Sequence, residues 1–324
     1  MFVIRFDLRV PACSTLPRSD QYREALAMTR FADEHGFGAA VVSEHHATDD
    51  GFMHSPLPVA AAFLGATKNI GCMISALLLP YYEPLKLAED MAAIELMFPG
   101  RLTVVAGLGY RPEEFDMFGM DRTKRARDFE ERIAALLEGW KGGWFEYKGQ
   151  RARISPAPPT QPNLMIGGSV PASARRAARF HLPFMPPIND TELVDIYLAE
   201  AAKVGYENPI PVLSTGPGLV LITDDPDALW AKIGENLLAD SEAYASWQTG
   251  EDRSSWHVAD RGVEALQASP AYAIVTPDEC VELIRTHGSA VLHPLVGGID
   301  PAIGWGSLQL AVDKVLPKLA PATV

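Results

Sequence analysis

Short apolar runs alternate with helix-period stretches along most of the chain. Phe2 to Leu8 predicts a first strand. Between Gln21 and His35, Tyr22, Ala25, Leu26 and Ala32 fall on one side and Gly36 follows, which predicts an amphipathic helix and its stop. Ala39 to Ser43 predicts a second strand, Pro58 to Ala66 a short apolar helix, and Ile70 to Leu79 a third strand. Pro84 to Met97 predicts a helix with proline in its first turn, stopped by Pro99-Gly100. A fourth strand over Leu102 to Ala106 precedes a helix over 122–140. There Phe129, Ile133, Leu136, Leu137 and Trp140 form a core-facing stripe. Then come a fifth strand (163–166) with its helix (171–180), a sixth (182–185) with a helix over 190–204, and a seventh (211–222). A helix over 277–286, an eighth strand (290–295) and a closing helix (304–319) complete the pattern. Two stretches interrupt it. Residues 141–161, rich in Gly and Pro, read as a surface hairpin or a long loop. Residues 236–271 lose regularity and read as an insertion before the last repeat.

Parallel neighbours need crossover connections, so eight strands alternating with helices imply an α/β fold with an all-parallel sheet. Eight such units close into a (β/α)8 TIM barrel; an open doubly wound sheet is the alternative. The 324 residues suit a single barrel domain over 1–324. Chemistry then belongs at the C-terminal ends of the strands.

Composition narrows the partners. Apolar residues are 48% of the chain and charged residues 21%, enough for a large core. A net charge of −13 argues against nucleic acid and anionic membranes as main partners and is in keeping with solubility. Cys13, Cys72 and Cys280 are far apart and form no CxxC pair, so neither a disulfide framework nor a structural zinc site is expected, and a reducing cytoplasm suits them. The apolar start is too short for a signal peptide and lacks a basic region, and no apolar run is long enough to span a membrane.

The second strand ends Ser43-Glu44-His45-His46. Successive side chains on a strand point opposite ways, so the two imidazoles are poorly placed to share a metal. One is either structural or projects into the barrel mouth as a general acid or base. The fourth strand ends Gly107-Leu108-Gly109-Tyr110-Arg111-Pro112, where proline stands in place of the third glycine of a dinucleotide fingerprint. Glycine there lets a flat ring approach the backbone or simply makes a turn. The fifth strand ends Gly167-Gly168-Ser169-Val170-Pro171 and opens a helix carrying Ser173, Arg175 and Arg176. The pattern suits either a phosphate site at a helix N-terminus or an ordinary capped helix. His293 to Gly298 either lines the mouth or makes a turn of the fold.

Taken together these stretches resemble the bacterial luciferase-like flavin-dependent monooxygenases. The resemblance rests on VVSEHH, LPVAAAFLGATKNIG, LLLPYYEPLKLAEDMAAIELMFPGRL and GLGYRPEEFDMFG between Val41 and Gly119, on PNLMIGGSVPASARRAARF from Pro162 to Phe180, and on LHPLVGGIDPAIGW near the C-terminus. It implies a barrel with a flavin ring in the mouth. His45 then matches the active-site histidine at the reactive edge of the ring, and His46 is structural. Ser75-Ala76 matches a cis peptide supporting the ring face. Gly107 and Gly109 lie along the ring, Gly167, Gly168, Ser169 and Ser173 match the phosphate loop, and Arg125 a second phosphate anchor.

Two departures limit the activity the resemblance implies. Gly107 and Leu108 replace the cysteine and arginine of light-emitting luciferases, so bioluminescence is not expected. Asp49 stands where deazaflavin sugar-phosphate dehydrogenases carry tryptophan. The resemblance therefore implies a monooxygenase using reduced FMN (FMNH2), fed by a flavin reductase, with oxygen and a small-molecule organic substrate. The loop over 47–54 and the 236–271 insertion would enclose that substrate. A deazaflavin (F420) enzyme transferring hydride without oxygen is the alternative, with extra basic residues such as Arg175, Arg176 and Arg179 to meet its acidic tail. A non-catalytic flavin-binding protein and a metal-dependent hydrolase are lesser alternatives. The small, apolar helices over 58–66 and 84–97 match a region that packs against a second subunit, implying a homodimer.

Overall fold

The computed structural model describes residues 1–247 and 262–319. The first half follows the expected rhythm: β1 (Phe2–Phe6), α1 (Arg18–Glu34), β2 (Ala39–Val42), α2 (Pro56–Gly65), β3 (Gly71–Leu78), α3 (Pro84–Met97), β4 (Leu102–Gly107), a short α4 (Pro112–Met117) and α5 (Arg125–Trp140). Residues 141–161 contain an antiparallel hairpin of β5 (Phe145–Tyr147) and β6 (Gln150–Ala152). Then come β7 (Asn163–Gly167), α6 (Pro171–Arg179), β8 (Phe184–Met185), α7 (Thr191–Val204), β9 (Leu219–Ile222), α8 (Pro226–Trp247), α9 (Val263–Ala268), β10 (Tyr272–Val275), α10 (Pro277–His287), β11 (Ala290–Leu292), α11 (Pro301–Leu310) and α12 (Leu316–Leu319).

Nine strands form one parallel sheet in the order β10-β9-β11-β1-β2-β3-β4-β7-β8. The late strand β11 returns to lie beside β1, with Phe2 opposite Ala290. This is the seam of a TIM barrel. Strand alternation sets its layers. Phe2, Ile4 and Phe6 of β1 are buried on the helix side, where Phe6 meets Phe63 of α2, while Arg5 points inward to Ser43. No helix among the described residues is long and apolar enough to cross a membrane.

Three expectations are corrected. The seventh strand is not continuous. Ile210 and Val212 bond to Phe184, and the chain then passes through Gly216-Pro217-Gly218 before β9 begins. Proline lacks the N–H that a ladder needs, and glycine favours a bend. The sheet has a ninth strand: β10 pairs with β9 on the side away from β11. Regularity is not lost at Asn236, because α8 continues to Trp247. Its buried face runs through Leu229, Ile233 and Leu237 and then turns polar at Asp240 and Ser241. Residues 248–261 of the expected insertion lie outside the described residues.

Close packing at the seam makes one glycine indispensable. A Cβ at Gly304 in α11 would meet the Pro294 carbonyl oxygen at 2.1 Å, whereas at Gly306, two residues on, nothing lies within 4 Å. Gly304→Ala is therefore expected to cost about 1–3 kcal/mol by overpacking. Gly306→Ala is expected to be neutral or to stabilise by up to about 1 kcal/mol through helix propensity. Urea denaturation of both variants checks the pair; equal effects would show that the contact is absent.

Candidate active site

The segment after β2 is buried throughout: Ser43, Glu44, His45 and His46 are all at or below 9% exposure. Its two histidines serve different carboxylates. His46 Nε2 lies 2.8 Å from Glu44 Oε1, which also accepts from Tyr82 Oη at 2.8 Å, while Glu44 Oε2 accepts from Leu78 N at 2.7 Å. His45 Nδ1 lies 2.9 Å from Glu114 Oε1, a side chain of α4. The same oxygen accepts from His46 N at 3.0 Å and from Arg111 Nη1 at 3.3 Å. Arg111 Nη1 also donates to His46 O at 2.6 Å.

These contacts set the charge states. Burial opposes ionisation of Glu114, but the His45 hydrogen bond, the His46 N–H and Arg111 outweigh it and hold the carboxyl below its usual range. Burial lowers the pKa of His45; Glu114 works against that, and the Arg111 and Arg9 charges add to the lowering. His45 is thus a neutral imidazole beside an ionised carboxylate. A carboxylate only accepts, so the ring proton sits on Nδ1, leaving the Nε2 lone pair, 3.5 Å from Tyr110 Oη, for chemistry.

The strand ends beside His45 bring several expected residues together. The Ser75–Ala76 peptide is cis. Ser75 O accepts from Ser43 Oγ at 2.7 Å, and that hydroxyl accepts from Arg5 Nη2 at 2.8 Å. Gly107 lies against Ala76: a Cβ there would sit 2.8 Å from the alanine Cβ. Gly109 has φ +74° and lies beside the Tyr81 hydroxyl and the Phe115 ring. Further round, Gly167 packs on Val105, and Gly168, with φ +144°, leaves only 2.6 Å between a notional Cβ and Ser173.

Ser169 is half-buried at the mouth of α6. Ser173 is buried and donates to Val170 O at 2.6 Å, closing the first turn of its own helix. Arg125 opens α5. Its Nη1 donates to Arg122 O at 3.2 Å, and its buried Nε has no partner. Arg176 and Arg179 both bond Glu130 of α5, at 2.9 and 2.8 Å, so α5 and α6 run side by side. Arg175 is exposed. Of the three arginines expected to meet an acidic tail, two are held by that one carboxylate.

Sequence reasoning missed a second buried ionic centre. Arg9, from the loop after β1, is 1% exposed and pairs with Asp50 at 2.6 Å and Asp240 at 2.5 Å. Phe52, Tyr244 and Trp247 surround its guanidinium at 5.0–5.4 Å. Asp7 is buried beside it. Burial and the nearby Asp240 raise its pKa, against the pull of Arg9. The end of α8 is thereby brought over the mouth, with the Trp247 ring 4.8 Å from that of His45. Beside His45, a cleft of about 520 Å3 opens between the loop after β2 and Tyr81, Tyr82, Met117 and Phe118.

A parallel barrel that holds a neutral imidazole against an ionised carboxylate at its mouth has the groups needed to take up and return a proton. Residues 2–293 match the luciferase-like monooxygenases, and the chain belongs to that family. Among curated relatives, the alkanal monooxygenase alpha chain of Photorhabdus luminescens is 26% identical over 203 residues, 59% of this chain and 56% of that one. The oxygenase component of the flavin-dependent trigonelline monooxygenase of Acinetobacter baylyi is 28% identical over 152 residues, 45% of this chain and 42% of that one. The chain spans about half the length of the curated relatives it matches.

Solved structures share the fold across the chain. Monooxygenase RslO1 from Streptomyces bottropensis has TM-score 0.78 at 23% identity, covering 98% of this chain and 99% of that one. The oxygenating constituent of 3,6-diketocamphane monooxygenase from Pseudomonas putida, in complex with FMN, has TM-score 0.71 at 19% identity, covering 98% of each. An F420-dependent secondary alcohol dehydrogenase with an F420-acetone adduct has TM-score 0.71 at 16% identity, covering 99% of each.

The geometry gives an expected titration. The His45 ring should titrate below 6.5 in an NMR pH series, because burial lowers its pKa. Glu114→Gln removes the one neighbour that raises it, so the midpoint should fall further. A midpoint that rises in the variant would contradict the assignment of charge.

Proposed function

We propose that the protein is a flavin-dependent monooxygenase that takes reduced FMN and oxygen to a small organic substrate, with the reduced flavin supplied by a separate reductase. The observation that carries this reading is His45: a buried, neutral imidazole whose Nδ1 faces an ionised carboxylate. Around it, Ala76 and Gly107 leave strand ends with little side chain, against which a flat ring fits. The Ala172 N–H in the first turn of α6 and the Ser169 hydroxyl suit a phosphate, and the unpartnered Nε of Arg125 offers a further donor on α5. Bound there, reduced FMN would supply the electrons and the carbon framework at which oxygen reacts.

The chain's own residues do the rest. The α6 end holds the phosphate, and the aromatic end of α8 keeps water from the mouth. His45 accepts a proton at Nε2, and Glu114, across Nδ1, stabilises the imidazolium so formed. The cleft beside His45 offers a path for the substrate. The relative named as an oxygenase component supports the reductase partner. The F420-dependent neighbour supports hydride transfer as the second reading, but the capture of Arg176 and Arg179 by Glu130 leaves less positive charge for a long acidic tail. A homodimer through the α2 and α3 region also belongs to our reading. Most apolar residues there are buried within the chain, and Leu96 and Met97 stay exposed.

Anaerobic titration with FMNH2, oxidised FMN and F420 tests the proposal. FMNH2 should bind tightest, and Ser169→Ala should weaken it by about tenfold, the loss of one hydrogen bond to a charged group. His45→Gln should leave binding nearly unchanged and lower turnover by about 10²–10⁴-fold. Tighter binding of F420 moves the assignment to hydride transfer, and binding of none of the three overturns the cofactor.

A further inference from the structure

The two histidines after β2 are held in opposite senses. His45 gives Nδ1 to Glu114 and keeps Nε2, whereas His46 gives Nε2 to Glu44 and keeps Nδ1. Glu44 also accepts from Tyr82 Oη and Leu78 N. A carboxylate only accepts, which puts the proton of the neutral His46 ring on Nε2 and leaves a lone pair on Nδ1. That nitrogen has no partner among the described residues, yet it is not one of the polar atoms sealed from solvent.

The cleft of about 520 Å3 beside His45 is what Nδ1 can open onto. His46 lines it and is otherwise buried, at 9% exposure. Tyr81 and Phe118 fix the plane of the ring, each meeting it at 86° with centroids 5.6 and 4.9 Å away. Small-molecule sites occupy roughly 300–1,000 Å3, and this cleft falls in that range. Its wall on the α4 side is apolar and uncovered: Met117 and Phe118 are 60% and 40% exposed. Phe118 already stacks on Tyr81 at 4.8 Å, so a further ring lying against Phe118 extends a stack and displaces nothing. His45 lines the same cleft, so a molecule bound there reaches the site already described.

We propose that His46 is the recognition group of this cleft: its Nδ1 accepts a hydrogen bond from the hydroxyl of an aromatic alcohol or phenol whose ring lies along Phe118 and Met117. A buried acceptor in an apolar wall selects for a donor, because a ligand without one leaves the lone pair desolvated. The carboxylates of Glu44 and Glu114 behind the two imidazoles disfavour an anion, so the donor belongs to a neutral molecule. The proposal deepens the monooxygenase reading and rests on it for the reaction, while the ligand class rests on the cleft alone. His46 acts by position and takes no part in proton transfer at His45.

The test compares 2-naphthol with 2-methoxynaphthalene, which share a ring system and an oxygen but not a donor. Calorimetry on the full chain without flavin gives the ratio of their affinities. The wild type should prefer the naphthol by about tenfold, the worth of one hydrogen bond to a buried acceptor. His46→Phe keeps a ring without nitrogen and should abolish the preference. Phe118→Ala should weaken both compounds severalfold and leave the ratio unchanged. If His46→Phe fails to fold, the wild type still carries the test: the 15N shift of His46 Nδ1 should move with the naphthol and stay with the methyl ether. No preference in the wild type, a preference that survives His46→Phe, binding indifferent to Phe118→Ala, or an Nδ1 shift that ignores the naphthol overturns the proposal. Sedimentation in the same buffer reads the rival occupant: if naphthol affinity falls as the chain associates, a second copy fills the cleft and the proposal is wrong. FMNH2 titrated into the same proteins separates the two readings. If FMNH2 displaces the naphthol and itself weakens in His46→Phe, the cleft serves the cofactor and the proposal is wrong. If no flavin binds but the naphthol preference still depends on His46, the cofactor reading fails and the recognition group stands.

Discussion

A carboxylate that cannot reach water organises the barrel mouth. Glu114 has no exposed surface, and an anion at that depth is tolerable only when donors surround it. It meets the His45 ring, the His46 main chain and the Arg111 guanidinium, with the Tyr81 hydroxyl at 3.4 Å from its second oxygen. Those donors belong to three separate segments, so satisfying one charge fixes the segment after β2, the turn after β3 and the start of α4 relative to one another. The same contacts choose the tautomer of His45. Without Glu114 the imidazole would have no reason to keep its proton on the inner nitrogen, and the lone pair at the mouth would be lost.

The Arg9 centre solves the opposite problem. Here one guanidinium is buried among more carboxyls than it can neutralise: Asp50, Asp240 and, close by, Asp7. Burial raises the pKa of Asp7 first and the neighbouring Asp240 adds to it, while Arg9 works against both. The same guanidinium explains the change in character of α8. Its apolar face packs on the barrel as far as Leu237, and the next inward residue, Asp240, is an acid because it meets a buried cation rather than a core. The end of α8 is thus held both by the ionic contact of Asp240 with Arg9 and by the packing of Tyr244 and Trp247.

These centres also show where sequence reading stops. Helix α3 was legible because proline, glycine and periodicity are local signals, and the hairpin over 145–152 was one of the two readings the Gly- and Pro-rich stretch allowed. Strand β10 was not: four residues between Pro270 and Pro277 carry too little pattern to stand out from a loop. The last three turns of α8 were read as irregular because their inward residues are not apolar, which is a tertiary cause. His45 was singled out because adjacent histidines after a strand are unusual and because the surrounding motifs resemble a known family. Glu114 and Arg111 lay inside a quoted motif yet drew no notice. An acid in the first turn of a helix ordinarily complements the helix dipole, and nothing local reveals a partner 69 residues away. Arg9 and Asp240, 231 residues apart, are beyond any local signal.

The mouth has a floor of small residues and a surround of long side chains. Positions along the expected cofactor face are small because short neighbouring side chains lie close: a Cβ at Gly107 would meet the Ala76 Cβ, and one at Gly168 would meet Ser173. Such positions can shape a cavity for a common ring but have no side chain with which to tell one substrate from another. The groups that face His45 from the other side are long and chemically distinct, and they ride on loops and on the end of α8. Each is tied to the scaffold by its own contact, Phe52 and Trp247 around Arg9 and Arg111 through Glu114. The surroundings of His45 are therefore set by side chains anchored apart from the strand ends, whose own geometry does not depend on them.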